Sequence, residues 1–251
     1  MGKRFLLFCA LVFGMLMQSK AQVSVKDSVI AITMVNASFA FHKPAGDLAD
    51  RFGDSNALGL GALRKTKKNW IWGAELSFIF GSEIKDENLF DNITGGQSVI
   101  DANGQLATIR VFQRGMYFNA TVGKLIPVLG PNKNSGILIT GGVGYMYHKI
   151  KIESLGNRTP QLTDDLIKGY DRYTAGVFTS QFIGYSFLSN KKKINFFAGF
   201  DFIQGYTEDK RGFNYTTGER IEGQRKDLLW GFRIGWILPI YRRAPEDFYF
   251  F

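Results

Sequence analysis

The sequence predicts an all-β protein: a closed, eight-stranded, antiparallel, up-and-down transmembrane β-barrel with long outer loops. Large apolar residues alternate with small ones along several segments, which is the pattern of strands with two different faces. The connections between these segments are alternately short and long, as in the barrels of outer membranes. Beyond the N-terminal region, no stretch approaches the roughly 18 uninterrupted apolar residues that a membrane-spanning helix needs.

The start of the chain is expected to be a cleaved secretory signal peptide. A short basic beginning is followed by the apolar run Phe5–Met17, which is too short to span a membrane. Ser19 and Ala21 then place small residues three positions and one position before a cleavage site. We therefore expect a signal peptide at 1–21, a transmembrane barrel at 22–243 and an aromatic C-terminal tail at 244–251.

Composition excludes several other classes of protein. The single cysteine lies in the predicted signal peptide, which excludes a disulfide scaffold and a thiolate metal site from the exported chain. Only two histidines are present, so a multi-histidine metal centre is excluded too, and we expect no cofactor. The net charge is +9, but an exported protein does not meet nucleic acid, so we expect no nucleic-acid partner.

Each predicted strand rests on the alternation and on the turns that bound it. The pattern is clearest in Trp70–Gly81, Ile194–Tyr206 and Leu228–Leu238, where one face is large and apolar and the other contains glycines and a charge. Short connections, each under ten residues, follow the second, fourth and sixth strands. The complete set in chain order is Val29–His42, Asn56–Arg64, Trp70–Gly81, Thr108–Ile126, Gly136–Ile152, Tyr173–Leu188, Ile194–Tyr206 and Leu228–Leu238.

The aromatic face of these strands is expected to meet lipid. In a soluble carrier barrel the aromatic face would be buried, and the second face would carry many Lys, Glu and Thr residues. Here the second face is mostly Gly, Ser and Asn with isolated charges. Glycine weakens a strand at a solvated surface, whereas small residues suit the narrow interior of an eight-stranded barrel.

Three charged residues are expected to form a lumen charge cluster near the middle of the barrel. Glu75, Asp201 and Arg233 each interrupt the small face of a predicted strand. An unpaired charge in that position would be costly, so we expect the three to hydrogen-bond across the lumen. Two roles stay open: a structural plug that closes the barrel, and a proton or ion relay.

The two histidines are the only candidates for catalysis. His42 and His148 each end a predicted strand near the outer rim. Ser38 would share a face with His42, and Asp47 or Asp50 follows in the next loop, which gives the residue types for a lipid-modifying enzyme. The alternative is a rim histidine bonded to loop backbone. We predict no catalytic residue and no enzymatic activity.

Basic residues cluster at the short-turn end of the barrel, which would face the periplasm. They either anchor the barrel at anionic headgroups or form a docking face for an acidic partner. This periplasmic basic face consists of Arg64, Lys65, Lys67, Lys68, Lys191, Lys192, Lys193, Arg242 and Arg243.

The aromatic C-terminus is the least ordinary feature of the chain. The last strand is predicted to end before Pro245, so the aromatic residues form a tail beyond the barrel. An exposed apolar tail should bind something: it is either a signal for membrane insertion or a partner-docking tail. It consists of Phe248, Tyr249, Phe250 and Phe251.

These features together resemble small outer-membrane β-barrel proteins of Bacteroidota, in the eight-stranded OmpA/PorT-like class. The resemblance is carried by Lys20–Gln22, Trp70–Glu75, Gly123–Asn132 and Gly235–Pro245. It implies an eight-stranded barrel without catalytic residues. It also implies that such a barrel can serve as an accessory subunit of a larger outer-membrane assembly.

Our functional hypothesis is a non-enzymatic integral outer-membrane barrel that acts as an accessory or structural subunit of a protein insertion or export complex. Its expected partners are outer-membrane lipid, lipopolysaccharide and other proteins of that complex. The alternatives are a stand-alone narrow channel or surface-binding barrel, followed by a lipid-modifying enzyme.

Overall fold

The computed structural model describes residues 28–86, 89–90, 99–154, 159, 162–190, 194–221 and 223–241. Eight long strands in these residues form one closed antiparallel barrel, which confirms the predicted fold class. They are β1 (Ile32–Gly46), β2 (Ser55–Lys65), β3 (Trp70–Gly81), β4 (Ile109–Ile126), β5 (Gly136–Ser154), β6 (Thr174–Leu188), β7 (Asn195–Asp209) and β10 (Gln224–Tyr241). The long connections add a hairpin, β8 (Phe213–Asn214) and β9 (Glu219–Arg220), and one short helix, α1 (Asp164–Ile167). No helix in the described residues is long and apolar enough to cross a membrane.

The barrel closes because its first strand, β1, pairs along its whole length with its last strand, β10. The order around the ring is β1-β10-β7-β6-β5-β4-β3-β2, so each barrel strand pairs with the barrel strands that come before and after it in the chain. β1 and β10 complete the ring with a register that runs from Ile32 opposite Tyr241 to Gly46 opposite Asp227. A closed ring leaves no unpaired strand edge.

Several strands continue beyond their predicted ends. β3 has the predicted bounds, but β5 runs on to Ser154, β7 runs on to Asp209 and β10 already begins at Gln224. In these extensions the outward side chains are polar or charged, so the apolar alternation stops while backbone pairing continues. The predicted ends therefore marked where the apolar wall ends, not where the strands end.

The outward face of the barrel is the aromatic one, as predicted. Trp72 and Leu76 are 56% and 48% exposed, whereas Ile71 and Ile79 on the opposite face are at most 1% exposed. Leu60, at the middle of β2, is 68% exposed. Monomeric soluble proteins rarely expose a continuous apolar surface of this kind, which marks contact with a membrane or with another protein.

The interior is more apolar than we predicted. Instead of mainly small residues and charges, it contains two apolar clusters with a polar layer between them. Large residues share the inward positions with the glycines, and they fill the lumen of a barrel this narrow. The cluster near the long loops includes Phe52, Tyr117, Met146, Phe178 and Leu229. The cluster near the short turns includes Ile32, Ile71, Leu125, Phe182, Phe197 and Ile237.

The connection between β1 and β2 closes the outer mouth of the barrel. Leu48 and Phe52 are fully buried, and the Phe52 ring meets the His148 ring edge-on at 5.5 Å. Arg51 donates a hydrogen bond to Thr174 Oγ1 at 3.2 Å, and burial lowers the pKa of Arg51 to about 10. This loop is therefore part of the packed interior.

Candidate functional site

The structure brings the three charges of the lumen charge cluster together. Arg233 Nη1 donates to Glu75 Oε1 at 2.8 Å, and Arg233 Nε lies 3.7 Å from Asp201 Oδ2. All three side chains are less than 10% exposed. The contacts join β10 to β3 across the lumen and to β7 alongside it, so the cluster ties separate parts of the wall together.

Sequence analysis missed other members of this network. His42 Nε2 lies 3.4 Å from Asp201 Oδ2, and Ser77 Oγ donates to Glu75 Oε1 at 3.1 Å. The Arg233 guanidinium also lies 4.7 Å from the ring centroid of Phe182. The parity of His42 could have revealed that its side chain points into the lumen, because it shares the inward face of β1 with Ser38.

A small cavity of about 30 Å³ adjoins the lumen charge cluster. Asn36 lines it, and neither polar atom of the Asn36 side chain has a hydrogen-bond partner in the structure. Arg233 Nε also lacks one. A space of this volume accommodates one or two water molecules. Asn36 and Arg233 can therefore hydrogen-bond to water in this cavity, and the remaining lining is largely apolar.

A second buried histidine pair lies closer to the outer mouth. His148 Nε2 and Asp227 Oδ2 are 2.8 Å apart, and Thr207 Oγ1 donates to the same carboxylate oxygen. Arg225 lies 3.4 Å from the other oxygen of Asp227. No pattern in the sequence indicates this pairing, because His148 and Asp227 lie 79 positions apart on strands that do not pair with each other.

The prediction of rim histidines was wrong. His42 and His148 are fully buried inside the barrel, because β1 and β5 continue past them to Gly46 and Ser154. His42 makes no hydrogen bond to Ser38, Asp47 or Asp50, and its Nδ1 has no partner. Both histidines contact carboxylates rather than loop backbone. Among the described residues, neither histidine hydrogen-bonds to a serine or threonine hydroxyl that could act as the nucleophile of an acyl-transfer site.

The described part of the periplasmic basic face is divided. Lys67 and Lys68 are exposed at the β2–β3 turn, and Arg64 donates to Thr33 Oγ1 at 2.7 Å. Lys65 does not belong to this face. It is 1% exposed and donates to Asn134 Oδ1 at 2.8 Å inside the short-turn end of the barrel. The lysines at 191–193, the arginines at 242–243 and the tail at 248–251 lie outside the described residues.

Ion pairs tie the long connections to one another. The buried Arg172 donates to Asp86 Oδ2 at 3.0 Å and to Thr216 Oγ1 at 2.8 Å, which joins three connections. Asp171 accepts from Arg211 Nε at 2.9 Å, and this hydrogen bond raises the pKa of Arg211. In the described parts of these connections, no three acidic or histidine residues form a metal site.

A polar patch interrupts the outward apolar wall on β6 and β7, and the sequence analysis missed it. The side-chain amides of Gln181 and Gln204 hydrogen-bond to each other in both directions, at 3.0 and 2.9 Å. Thr179 Oγ1 donates to Gln204 Oε1 at 2.9 Å. We call these three residues the wall patch. Parity could have revealed the wall patch in the sequence, since all three residues occupy outward positions of their strands.

Apolar residues surround the wall patch on the outward face. Val177 and Tyr206 form a cross-strand pair on its outer side, and Ile183 and Phe200 form one on its inner side. All four are exposed large hydrophobic residues. The wall patch is therefore an island within the apolar wall and not the edge of a polar rim.

A shallow groove in the β4–β5 wall adjoins the wall patch, because Gly141 is paired with Gln181. A side chain at Gly141 would meet only open space, with Ser180 O at 3.9 Å as its nearest neighbour. The neighbouring Gly142 differs, since a Cβ there would lie 2.5 Å from Asn119 Oδ1. Internal packing thus explains Gly142 but not Gly141. Ala120, Thr121, Val122 and Val143 complete the lining of the groove together with these glycines.

Comparisons with known proteins show similarity to small barrels only at a low level. No family model matches the chain, and no curated protein matches it. The chain is similar to the crystal structure of Ail, the attachment invasion locus protein of Yersinia pestis, with 12% identity and a TM-score of 0.44 over 82% of this chain and 98% of that chain. For Neisserial surface protein A the identity is 9% and the TM-score 0.40, over 81% and 96% of the two chains. For the N-terminal β-barrel domain of Pseudomonas aeruginosa OprF they are 10% and 0.37, over 82% and 96%.

Values this low carry no information about a shared function. The strand pairing of this chain itself establishes its architecture as a closed eight-stranded antiparallel barrel with an apolar outer wall.

Proposed function

We propose that this protein is a non-enzymatic integral outer-membrane barrel that serves as a structural or accessory subunit of an envelope complex, such as one for protein insertion or export. It would reach the outer membrane through a cleaved signal peptide at 1–21. The observation that carries the proposal is the wall patch, a hydrogen-bonding surface on the side of the barrel that faces other membrane components.

The wall patch has hydrogen-bonding capacity that the barrel itself does not use. Each glutamine amide has two N–H donors, and the reciprocal pair of Gln181 and Gln204 uses one donor from each. In acyl chains no water is present to satisfy the remaining donors. A neighbouring membrane protein with an acceptor at the same depth can do so, and polar side chains hold transmembrane segments together in this way.

The groove beside the wall patch favours close approach of such a partner. Small residues at membrane interfaces let two backbones come near each other, and Gly141 leaves a depression that internal packing does not require. We propose that another integral outer-membrane protein occupies this depression and hydrogen-bonds to Gln181.

The filled interior supports a structural role rather than a channel or an enzyme. Two apolar clusters and the lumen charge cluster occupy the lumen of the barrel. The resemblance to small barrels of Bacteroidota supports the same role. Within this proposal, Lys67, Lys68 and the aromatic tail offer a second contact region on the periplasmic side.

Replacing Gln181 and Gln204 together by leucine is expected to release the partner without harming the barrel. The variant presents a uniformly apolar wall to lipid, so its resistance to thermal unfolding should equal or exceed that of the wild type. Gentle detergent extraction, sizing and mass spectrometry measure the assembly. The control is Leu58→Ala on β2, at the opposite wall. A lone wild-type barrel, or an unchanged complex in the glutamine variant, would contradict the proposal.

Filling the groove tests the same interface independently. Gly141→Val should fold like the wild type, since the new side chain enters open space, and a β-branched residue suits a strand. We expect it to reduce co-purification of the partner by steric exclusion. Gly142→Val is the matched comparison and should fold poorly, because its Cβ would collide with Asn119. Retention of the full complex by Gly141→Val would show that the groove is not an interface.

A further inference from the structure

A second unexplained feature of the wall is a group of cations near its outer end. Arg110 and Arg114 lie on β4, and Lys149 and Lys151 lie on β5. All four occupy outward positions, because they share the parity of the exposed Phe118 and Tyr145 lower on the same strands. We call these four residues the outer basic belt. It differs from the periplasmic basic face, since it lies at the end of the barrel that carries the long connections.

The outer basic belt lies directly above the apolar wall. Arg114 and Lys149 are opposite each other on the outward face. The next outward cross-strand pair toward the middle of the barrel is Met116 and Tyr147. Lipid headgroups meet a barrel wall just above its apolar band, where aromatic residues are also enriched. The belt therefore lies at the level of the headgroups of the outer leaflet.

The charges of the belt are not balanced within the described residues. Arg114 is directly opposite Lys149, and like charges in that position destabilise a strand pair. Among the described residues, Glu153 is the only carboxylate that forms an ion pair with a belt residue, since Lys151 Nζ lies 2.5 Å from its Oε1. Arg110 is directly opposite Glu153, but the ion pair of Glu153 is with Lys151, and the cross-strand partner of Lys149 is the cation Arg114. Four cations thus share one carboxylate.

The guanidinium of Arg114 is held in place by its surroundings. It lies 4.9 Å from the ring centroid of Phe112, and its Nη1 donates to the carbonyl oxygen of Gln113 at 2.8 Å. Both contacts leave its other N–H groups free to donate. A planar guanidinium with several available donors is well suited to a phosphate group.

We propose that the outer basic belt binds the phosphate groups of an anionic glycolipid in the outer leaflet. A bound phosphate would offset the repulsion between Arg114 and Lys149 and accept hydrogen bonds from both. The lipid source follows from placement, because the belt lies on the wall and continues directly into the apolar band that would contact the acyl chains. The inference rests on the proposed outer-membrane location but not on the subunit role.

The test uses purified full-length protein in a neutral detergent, titrated with diphosphoryl lipid A and followed by native mass spectrometry. We expect Arg114→Gln combined with Lys149→Gln to weaken binding by roughly 25-fold, at about fivefold for each interfacial cation removed. The control is Lys43→Gln on β1, an outward cation across the barrel that is already paired with Asp54 at 3.2 Å. This control should bind like the wild type.

Two further titrations keep the proposal falsifiable even if the double variant folds poorly. Lipid A without phosphates should bind the wild-type protein as weakly as diphosphoryl lipid A binds the double variant. A sulfated oligosaccharide without acyl chains should compete weakly. Equal binding of phosphorylated and dephosphorylated lipid would overturn the phosphate site. Strong competition by the soluble sulfated sugar would overturn the lipid assignment.

Discussion

Replacing Arg233 by methionine is expected to lower the free energy of unfolding by about 3–5 kcal/mol, because it removes the cation from a buried ion network. Glu75 loses its 2.8 Å partner, and Asp201 keeps only His42 nearby. Neither carboxylate can turn to solvent, since both are less than 10% exposed. Methionine fills the space between the surrounding rings, so the expected loss is mainly electrostatic.

Reversible denaturant unfolding in phospholipid vesicles would measure this effect. The informative companion is the triple variant Arg233→Met, Glu75→Gln and Asp201→Asn, which removes every formal charge of the lumen charge cluster. It should recover most of the loss, because replacing a whole buried ion network by neutral groups is often close to neutral in stability. If the single variant were as stable as the wild type, the cluster would not hold the barrel together.

The same pair of variants separates the two roles left open for the cluster. A structural plug predicts that the triple variant assembles like the wild type and that neither protein conducts protons or ions. A relay predicts that it assembles normally and loses a proton or ion flux, which would be measured in reconstituted vesicles with a pH-sensitive dye.

Replacing Leu60 by arginine is expected to cost about 2–4 kcal/mol if the outward wall meets lipid, because a cation at the bilayer midplane is poorly solvated. Leu60 lies at the middle of β2 and is 68% exposed. On a soluble barrel the same substitution would move a charge into water and be nearly neutral. The sign and size of this one effect therefore test the surroundings of the wall.

The control is Asn56→Arg. Asn56 lies on the same outward face of β2 as Leu60 but four residues nearer the outer end of the strand. A cation close to the membrane interface costs only about 0–1 kcal/mol, so this variant should unfold almost like the wild type. Denaturant unfolding in vesicles gives both values. Equal stability of the two variants would contradict the membrane assignment, because depth would then have no effect.

Alternation along the chain was sufficient to predict the barrel and the direction of its faces. Trp70–Gly81 shows why: each residue in a strand points opposite to its neighbours, so Trp72 and Ile71 are assigned to different faces by their positions alone. The structure gives these residues 56% and 1% exposure. Parity also assigns the residues of the wall patch and of the outer basic belt to the outward face. Sequence analysis missed both features because a few polar residues at outward positions leave the overall alternation intact.

Sequence analysis failed where contacts between elements decide the position of a side chain. It grouped Lys65 with the basic residues of the β2–β3 turn, although the residue has the inward parity of β2 and reaches Asn134 in the β4–β5 turn. It treated His42 as a rim residue because the apolar pattern ended there, although the strand continues to Gly46.

The sequence by itself determined the number of strands, the face that each strand residue occupies, and the presence of three inward charges. A period of two is a local property, set by the geometry of one extended chain. Only the tertiary structure decided that Arg233 reaches Glu75, that His148 meets Asp227, and that Arg114 is paired with Lys149. These contacts depend on how the strands are staggered around the closed ring, and that stagger is a property of all eight strands together.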